Sequence, residues 1–282
     1  MSRHYSPLRY PGGKARLADF LSRILNSKAA GREVVFVEPF AGGAGAALQL
    51  LIEGKVSKIL INDLDPAIYA FWQVAIYDTD RLIKKIQRTE VSINGWRKQQ
   101  AIYKEKPEDS LKFAFATFYL NRTNRSGIIE GGPIGGFDQR GKWKLDARFN
   151  KKGLIERLRK IKNFRDQITV KNLDGVELLK EIQKSENFKN HFIFIDPPYV
   201  EKGQLLYLNH YQQENHKKLA QFLNTSLLDW VMTYDDTPFI HKLYSTKAVR
   251  RFDIAHTAHD RKVGKEVFIS PFPVRKRIKL VG

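Results

Sequence analysis

The sequence predicts a doubly wound α/β fold: a mostly parallel sheet with helices on both faces, interrupted by an inserted, mainly helical lobe. Three observations carry that prediction. Short runs rich in Val, Ile, Leu and Phe recur along the chain, each followed by turn residues, as in strands buried on both faces. Helical patterns separate several of these runs, and strand, helix, strand in succession builds right-handed crossovers on a parallel sheet. From about residue 72 to residue 165 the alternation stops.

The first strand is expected at 34–40, VVFVEPF, and the helix after it at 44–54, AGAALQLLIEG, with Gly54 as its stop. A second strand follows at 58–64, KILINDL. The interrupting stretch holds amphipathic helical segments at 80–87, DRLIKKIQ, and at 110–120, SLKFAFATFYL, then a glycine-rich loop at 126–143. Strands resume at 167–173, QITVKNL, and at 191–198, HFIFIDPP, with a helix at 175–183 between them. The apolar runs at 227–234 and 266–272 continue the sheet. The expected division is a sheet domain of residues 1–71 and 166–282, with 72–165 as the inserted lobe.

Size and charge narrow the function classes. A chain of 282 residues holds one large core, or one core with an inserted lobe, since domains run to ~100–200 residues. Lys and Arg number 49 against 30 acids, a net charge of +19, which points to a polyanion such as nucleic acid. From Arg140 to Arg165 there are eleven basic and two acidic residues, more than a solvated helix face explains, so this stretch is expected to face phosphates. No apolar run reaches the ~20 residues of a spanning helix, and MSRHYSPLRY lacks a signal peptide's apolar core. The expectation is a soluble, cytoplasmic protein with no membrane partner. The absence of cysteine excludes a disulfide framework, a thiolate nucleophile and Cys-ligated metal. HTAH at 256–259 reads as solvated or structural histidines, so no metal is expected.

The chemistry gathers at the expected C-terminal ends of the strands, where open parallel sheets bind ligands. Glu38 to Gly45 forms a glycine-rich turn into a helix, which lets backbone approach a ligand closely. Asp63 ends the second strand about 20 residues on, where an acid accepts hydrogen bonds from ribose hydroxyls. The turn lacks G-x-G-x-x-G spacing, and Glu38 would repel a dinucleotide's phosphates. Carboxylates there suit a positively charged nucleoside cofactor such as S-adenosylmethionine. In 196–199, DPPY, two prolines stiffen the chain so that Asp196 and the Pro197 carbonyl can hold the two hydrogens of an exocyclic amino group. Pro198 completes the stiff turn, and Tyr199 offers a face for stacking a flat ring. Asp174 also ends an expected strand.

DPPY after a hydrophobic strand, with FVEPFAGGAG and IND upstream, resembles the amino-group DNA methyltransferases, in particular the Dam-type adenine-N6 family. LRYPGGK at 8–14 is similar to that family's N-terminal cofactor motif, and YLNRTNRSGI at 119–128 to the start of its DNA-reading lobe. Five motifs in this order cover nearly the whole chain. The resemblance implies a Rossmann-like S-adenosylmethionine-dependent methyltransferase sheet carrying a target-recognition lobe. It implies a cofactor site in which Tyr10 and Lys14 bind the methionine end, Glu38, Phe40, Gly42 and Gly43 line the pocket, Asp63 takes the ribose and Asp196 contacts cofactor and target. It implies catalysis by Asp196, Pro197, Pro198 and Tyr199 on an adenine flipped out of double-stranded DNA, with direct transfer and no covalent intermediate.

GATC-reading members of that family carry an aromatic, Asn, Gly, Leu, a variable residue and Arg where this chain has Arg125, Ser126, Gly127, Ile128, Ile129 and Glu130. With Glu130 in the place of the base-reading Arg, GATC is not the expected site. Arg122, Arg125 and Arg140 are candidates for phosphate or guanine contacts, with Ser126 and Ile128 beside them. Cytosine-N4 or RNA adenine methylation and an inactive DNA-binding module on the same fold stay open as alternatives, as does pairing with a cognate restriction endonuclease. No obligate protein partner is expected.

Overall fold

Val35–Glu38 (β1) is the third strand across a seven-stranded sheet. The other strands are Lys58–Asn62 (β2), Ile168–Lys171 (β3), His191–Ile195 (β4), Asp229–Asp235 (β5), Ala248–Ala255 (β6) and Val263–Ser270 (β7), and the spatial order is β3-β2-β1-β4-β5-β7-β6. The computed structural model describes residues 4–10, 13–29, 31–200, 211–255 and 263–274; HTAH lies outside them. Strands β1 to β5 run parallel, while β7 is antiparallel to both β5 and β6. The chain order reverses at β1, whose neighbours are β2 and β4, which makes the C-terminal end of β1 the switch point.

Alternation along the strands explains the two layers of helix. Phe36, Phe192, Phe194, Val231 and Phe268 enter one apolar cluster, and their neighbours Val37, Ile193, Ile195, Trp230 and Val267 enter the other. The first face is covered by Ala18–Ala29 (α1), Gly45–Ile52 (α2) and Pro66–Tyr77 (α3). The second is covered by Gly175–Lys184 (α8), Gln213–Thr225 (α9) and Pro238–Leu243 (α10).

Between β2 and β3 come α3, then Thr79–Arg88 (α4), Ile93–Glu105 (α5), Ser110–Thr123 (α6) and Lys151–Lys162 (α7). Local chemistry starts most of them: Asp65, Ser92, Asp109 and Asn150 each cap a helix with a side-chain oxygen that accepts a backbone N–H. Helix α3 runs through residue 72, where the alternation in the sequence stops. Its Phe71 ring stacks on Phe118 of α6 at 5.8 Å, so the apolar cluster continues from the sheet into these helices. Asp174, expected at a strand end, is instead the N-cap of α8, because β3 stops at Lys171 and the Asp174 carboxylate accepts from the Val176 and Glu177 N–H groups.

Candidate active site

The glycine turn after β1 is fixed from both sides of one residue. Asp63 Oδ2 accepts from Gly42 N at 2.8 Å, and Trp72 Nε1 donates to Gly42 O at 2.8 Å. Asp63 Oδ1 accepts from Asp65 N at 3.0 Å. Burial pushes the Asp63 carboxyl up to about 7, against the pull of those two N–H donors. Gly42 adopts φ +46°, and a Cβ there would lie 2.5 Å from the Tyr10 ring. The ring therefore lies over the Gly42–Gly43 backbone and brings the N-terminal segment to the switch point. Glu38, buried at the end of β1, accepts from Ala47 N at 2.8 Å and so caps α2, whose preceding residue Ala44 has φ +47°. Burial raises the Glu38 carboxyl to about 8, with Asp196 adding to the effect.

Phe40 points the other way, against α8 and Tyr211. A Cβ on Gly175 would come within 2.4 Å of its ring, and the Tyr211 ring stands edge-on to it at 5.7 Å. A cavity of about 400 Å³ opens between α8 and α9, with Asp174, Val176, Tyr211 and Phe222 among its walls.

Lys14 is the hub of the site. Its ammonium donates to the Tyr199 hydroxyl at 2.7 Å and lies 3.1 Å from Asp196 Oδ1 and 3.7 Å from Glu266 Oε2. It is 5 % exposed. Asp196 follows β4, and its Oδ1 also accepts from the Thr233 hydroxyl of β5 at 2.7 Å. Asp235, two residues on, accepts from Val200 N at 3.3 Å, so β5 braces both ends of 196–200. Pro197 is buried, Pro198 and Tyr199 half-buried, and the Tyr199 ring is 6.4 Å from that of Tyr234. Thr233, Asp235, Glu266 and Trp72 were not foreseen. The signal available for the first three was a polar residue inside or ending an apolar strand run.

The N-terminal segment is held by α6. Asn121, 1 % exposed, pairs its amide with one residue: Oδ1 accepts from Arg9 N and Nδ2 donates to Arg9 O, both at 2.7 Å. Nδ2 also donates to Gly127 O at 2.8 Å. Gly127 has φ +80°, and a Cβ there would meet Arg9 O at 2.5 Å. The turn that carries the DNA-reading candidates is thus fastened to the segment that carries Tyr10 and Lys14.

Those candidates separate. Arg125 and Arg140 are exposed, and Ser126, at φ +55°, and Ile128 are half-buried. Arg122 is 8 % exposed, and its Nε and Nη2 both donate to the Arg148 carbonyl. The last turn of α6 packs inward there, which takes its side chain off the surface. Among the described residues no group of three or more His, Asp or Glu could hold a metal ion, and no helix is long and apolar enough to cross a membrane.

Residues 10–263 match the family model of the D12 class N6 adenine-specific DNA methyltransferases. The chain belongs to that family. It is also similar to the Type II methyltransferase M.CviBI of Paramecium bursaria Chlorella virus NC1A, 24 % identical over 252 residues that make up 82 % of this chain and 85 % of the relative. Among solved structures it is similar to the rRNA methyltransferase aviRa from Streptomyces viridochromogenes, with a TM-score of 0.40 and 14 % identity over 93 % of this chain and 86 % of that one. An adenine-specific DNA methyltransferase must bring an amino group and a methyl donor to one point. In this D12 methyltransferase, the motif residues 196–199 and the N-terminal Tyr10 and Lys14 meet at the switch point of the sheet.

Proposed function

We propose that this D12 methyltransferase transfers a methyl group from S-adenosyl-L-methionine to N6 of an adenine flipped out of double-stranded DNA at a specific site, without a covalent enzyme intermediate. The observation that carries the reading is Asp196, held at the end of β4 by Lys14 and Thr233 and followed by Pro197, Pro198 and Tyr199. Both of those partners sit on Oδ1, so Oδ2 is the oxygen available to the target amino group.

The residues fit the cofactor. Each of the first five strands ends in or is followed by an acid, in order Glu38, Asp63, Asp174, Asp196 and Asp235. In a chain of net charge +19, that concentration of carboxylates suits a ligand with ammonium and sulfonium groups. Tyr10, Lys14, Glu38, Phe40, Gly42, Gly43, Asp63 and Asp196 would hold it, with Asp63 taking the ribose through lone pairs that its two N–H donors leave over. When bound, the cofactor supplies an electrophilic methyl group on a positively charged sulfur.

The rest falls to the chain. Taking the base out of the stack costs a few kcal/mol, on the order of the usual unstacking energy, and Tyr199 offsets it by stacking on the ring. Asp196 Oδ2 and the Pro197 carbonyl accept hydrogen bonds from the two amino N–H groups. That draws the nitrogen lone pair out of conjugation and aims it, so alignment and electrostatics lower the barrier. N6 takes the methyl carbon as the carbon–sulfur bond breaks, then gives up one proton to water. Lys14 sets the position of both Asp196 and Tyr199.

We assign the catalytic role to residues 1–71 with 166–282 and the DNA-reading role to 72–165, where Arg125, Ser126, Ile128 and Arg140 face the duplex and Arg122 braces them from within. The Chlorella virus relative is named a Type II methyltransferase, and we extend to this chain a cognate restriction endonuclease acting at the same site. The test is to incubate the protein with methyl-labelled cofactor and unmethylated duplex DNA, then digest to nucleosides. Label is expected in N6-methyl-2′-deoxyadenosine, and label in a methyl-2′-deoxycytidine overturns the reading.

A further inference from the structure

Four arginines meet where the N-terminal segment, the end of α6 and the 145–157 stretch pack together. Arg122 donates to the Arg148 carbonyl, Arg157 Nη1 to Ser6 O at 3.0 Å, and Arg9 Nη1 to Asn124 O at 3.0 Å. Ser6 and Arg9 belong to one short segment, and Asn121 beside Arg122 holds the Arg9 peptide on both sides. The guanidinium groups are close enough for Arg9, Arg148 and Arg157 all to act on Arg122. Among the described residues no carboxylate forms an ion pair with any of the four.

Arg122 is buried, Arg9 and Arg157 are half-buried and Arg148 is exposed, and like charges gathered at one place repel and destabilise the folded chain. A guanidinium carries five N–H donors, and backbone carbonyls take one or two of those of Arg9, Arg122 and Arg157. The arrangement suits an anion with several acceptor oxygens. Its place in the fold says which one: Arg9 precedes Tyr10, whose ring covers the glycine turn, and Gly127 of the DNA-reading turn rests on the Arg9 carbonyl.

We propose that Arg9, Arg148 and Arg157, with the buried Arg122 behind them, form a binding site for the phosphodiester next to the flipped deoxyadenosine. Flipping a nucleotide turns its sugar and phosphates out of the regular helix, and a fork of arginines at that point would hold the displaced strand. This rests on the duplex-adenine reading above.

The test couples protein and DNA changes. Arg148→Gln removes one of the four charges while leaving the backbone carbonyl that Arg122 uses. Duplexes carrying a neutral methylphosphonate at successive linkages around the methylated adenine, once that site is mapped, remove the phosphates one by one. At one linkage beside the target, methylphosphonate and Arg148→Gln are each expected to weaken binding by about tenfold, the worth of a charge-assisted contact, and together by no more than either alone. Arg148→Lys should recover part of the loss. Unchanged melting temperatures separate these effects from misfolding, and Arg157→Gln repeats the cycle independently. Losses that multiply at every linkage, or no loss in either Gln variant, overturn the site. Inorganic phosphate bound by the unaltered protein and lost in Arg148→Gln, with multiplying effects on DNA, overturns it in favour of a free-anion site. Multiplying effects with adenine methylation intact sink only this inference, whereas absent adenine methylation sinks the functional reading.

Discussion

The Lys14 ammonium lies 3.1 Å from Asp196 Oδ1 and joins the N-terminal segment to the loop after β4, residues 182 positions apart. Lys14 is almost fully out of water, and Asp196 and Glu266 share it as their cation.

Replacing Lys14 by Met leaves both carboxylates without that charge. Breaking a buried ion pair from one side costs about 3–5 kcal/mol. The variant should unfold at a lower temperature and lose methyl transfer, and calorimetry with a transfer assay checks both.

Thr233→Val keeps the shape of the β5 residue and removes the hydroxyl that orients Asp196. A hydrogen bond to a charged group contributes about 1.5–3 kcal/mol, so kcat should fall by about tenfold or more. The KM for cofactor should move little, since Thr233 acts through Asp196, and steady-state kinetics separates the two.

Asn121→Ala unpairs the Arg9 peptide and the Gly127 carbonyl together. Leaving buried polar groups unsatisfied costs about 1–3 kcal/mol, seen as a lower melting temperature. Cofactor and DNA affinity should both weaken, because the residue holds the segments assigned to each. An effect on DNA affinity alone would contradict that link.

Acidity has a fixed sign here. The folded chain holds Asp63 up at about 7 and Glu38 at about 8, whereas unfolded they titrate near 3.8 and 4.5. Between those limits the folded state carries protons that the unfolded state has released. Stability without ligand is therefore greatest below pH ~4 from these two groups and falls as pH rises to 7–8. Melting temperature against pH checks this, and Glu38→Gln should flatten the slope towards pH 8.

Much of the fold was legible because strands buried on both faces read as unbroken apolar runs, as at 34–40 and 191–198. Strand β6 was not, because it lies at the sheet edge and Arg250, Arg251 and Asp253 break up the apolar residues of AVRRFDIA. The antiparallel direction of β7 depends on a pairing that local pattern does not encode. Within the site, DPPY and the glycine turn were legible because their residue types are unusual after a strand. The support from Thr233, Glu266 and Trp72 was not, since each comes from an element distant in sequence and looks like ordinary strand or helix in its own context. Arg122 reads from sequence as a surface cation, and only the packing of α6 on 145–148 turns it inward.

With Asp196 Oδ2 holding the target amino group, Asp196→Ala should lose transfer and keep DNA binding when labelled transfer to duplex DNA is measured beside salt-dependent DNA binding. Methylation should fall by at least about 10²-fold, the scale of losing one preorganised polar partner of the reacting group. DNA affinity should stay close to that of the unaltered protein, because phosphate contacts dominate it. Undiminished adenine methylation in Asp196→Ala would contradict the account.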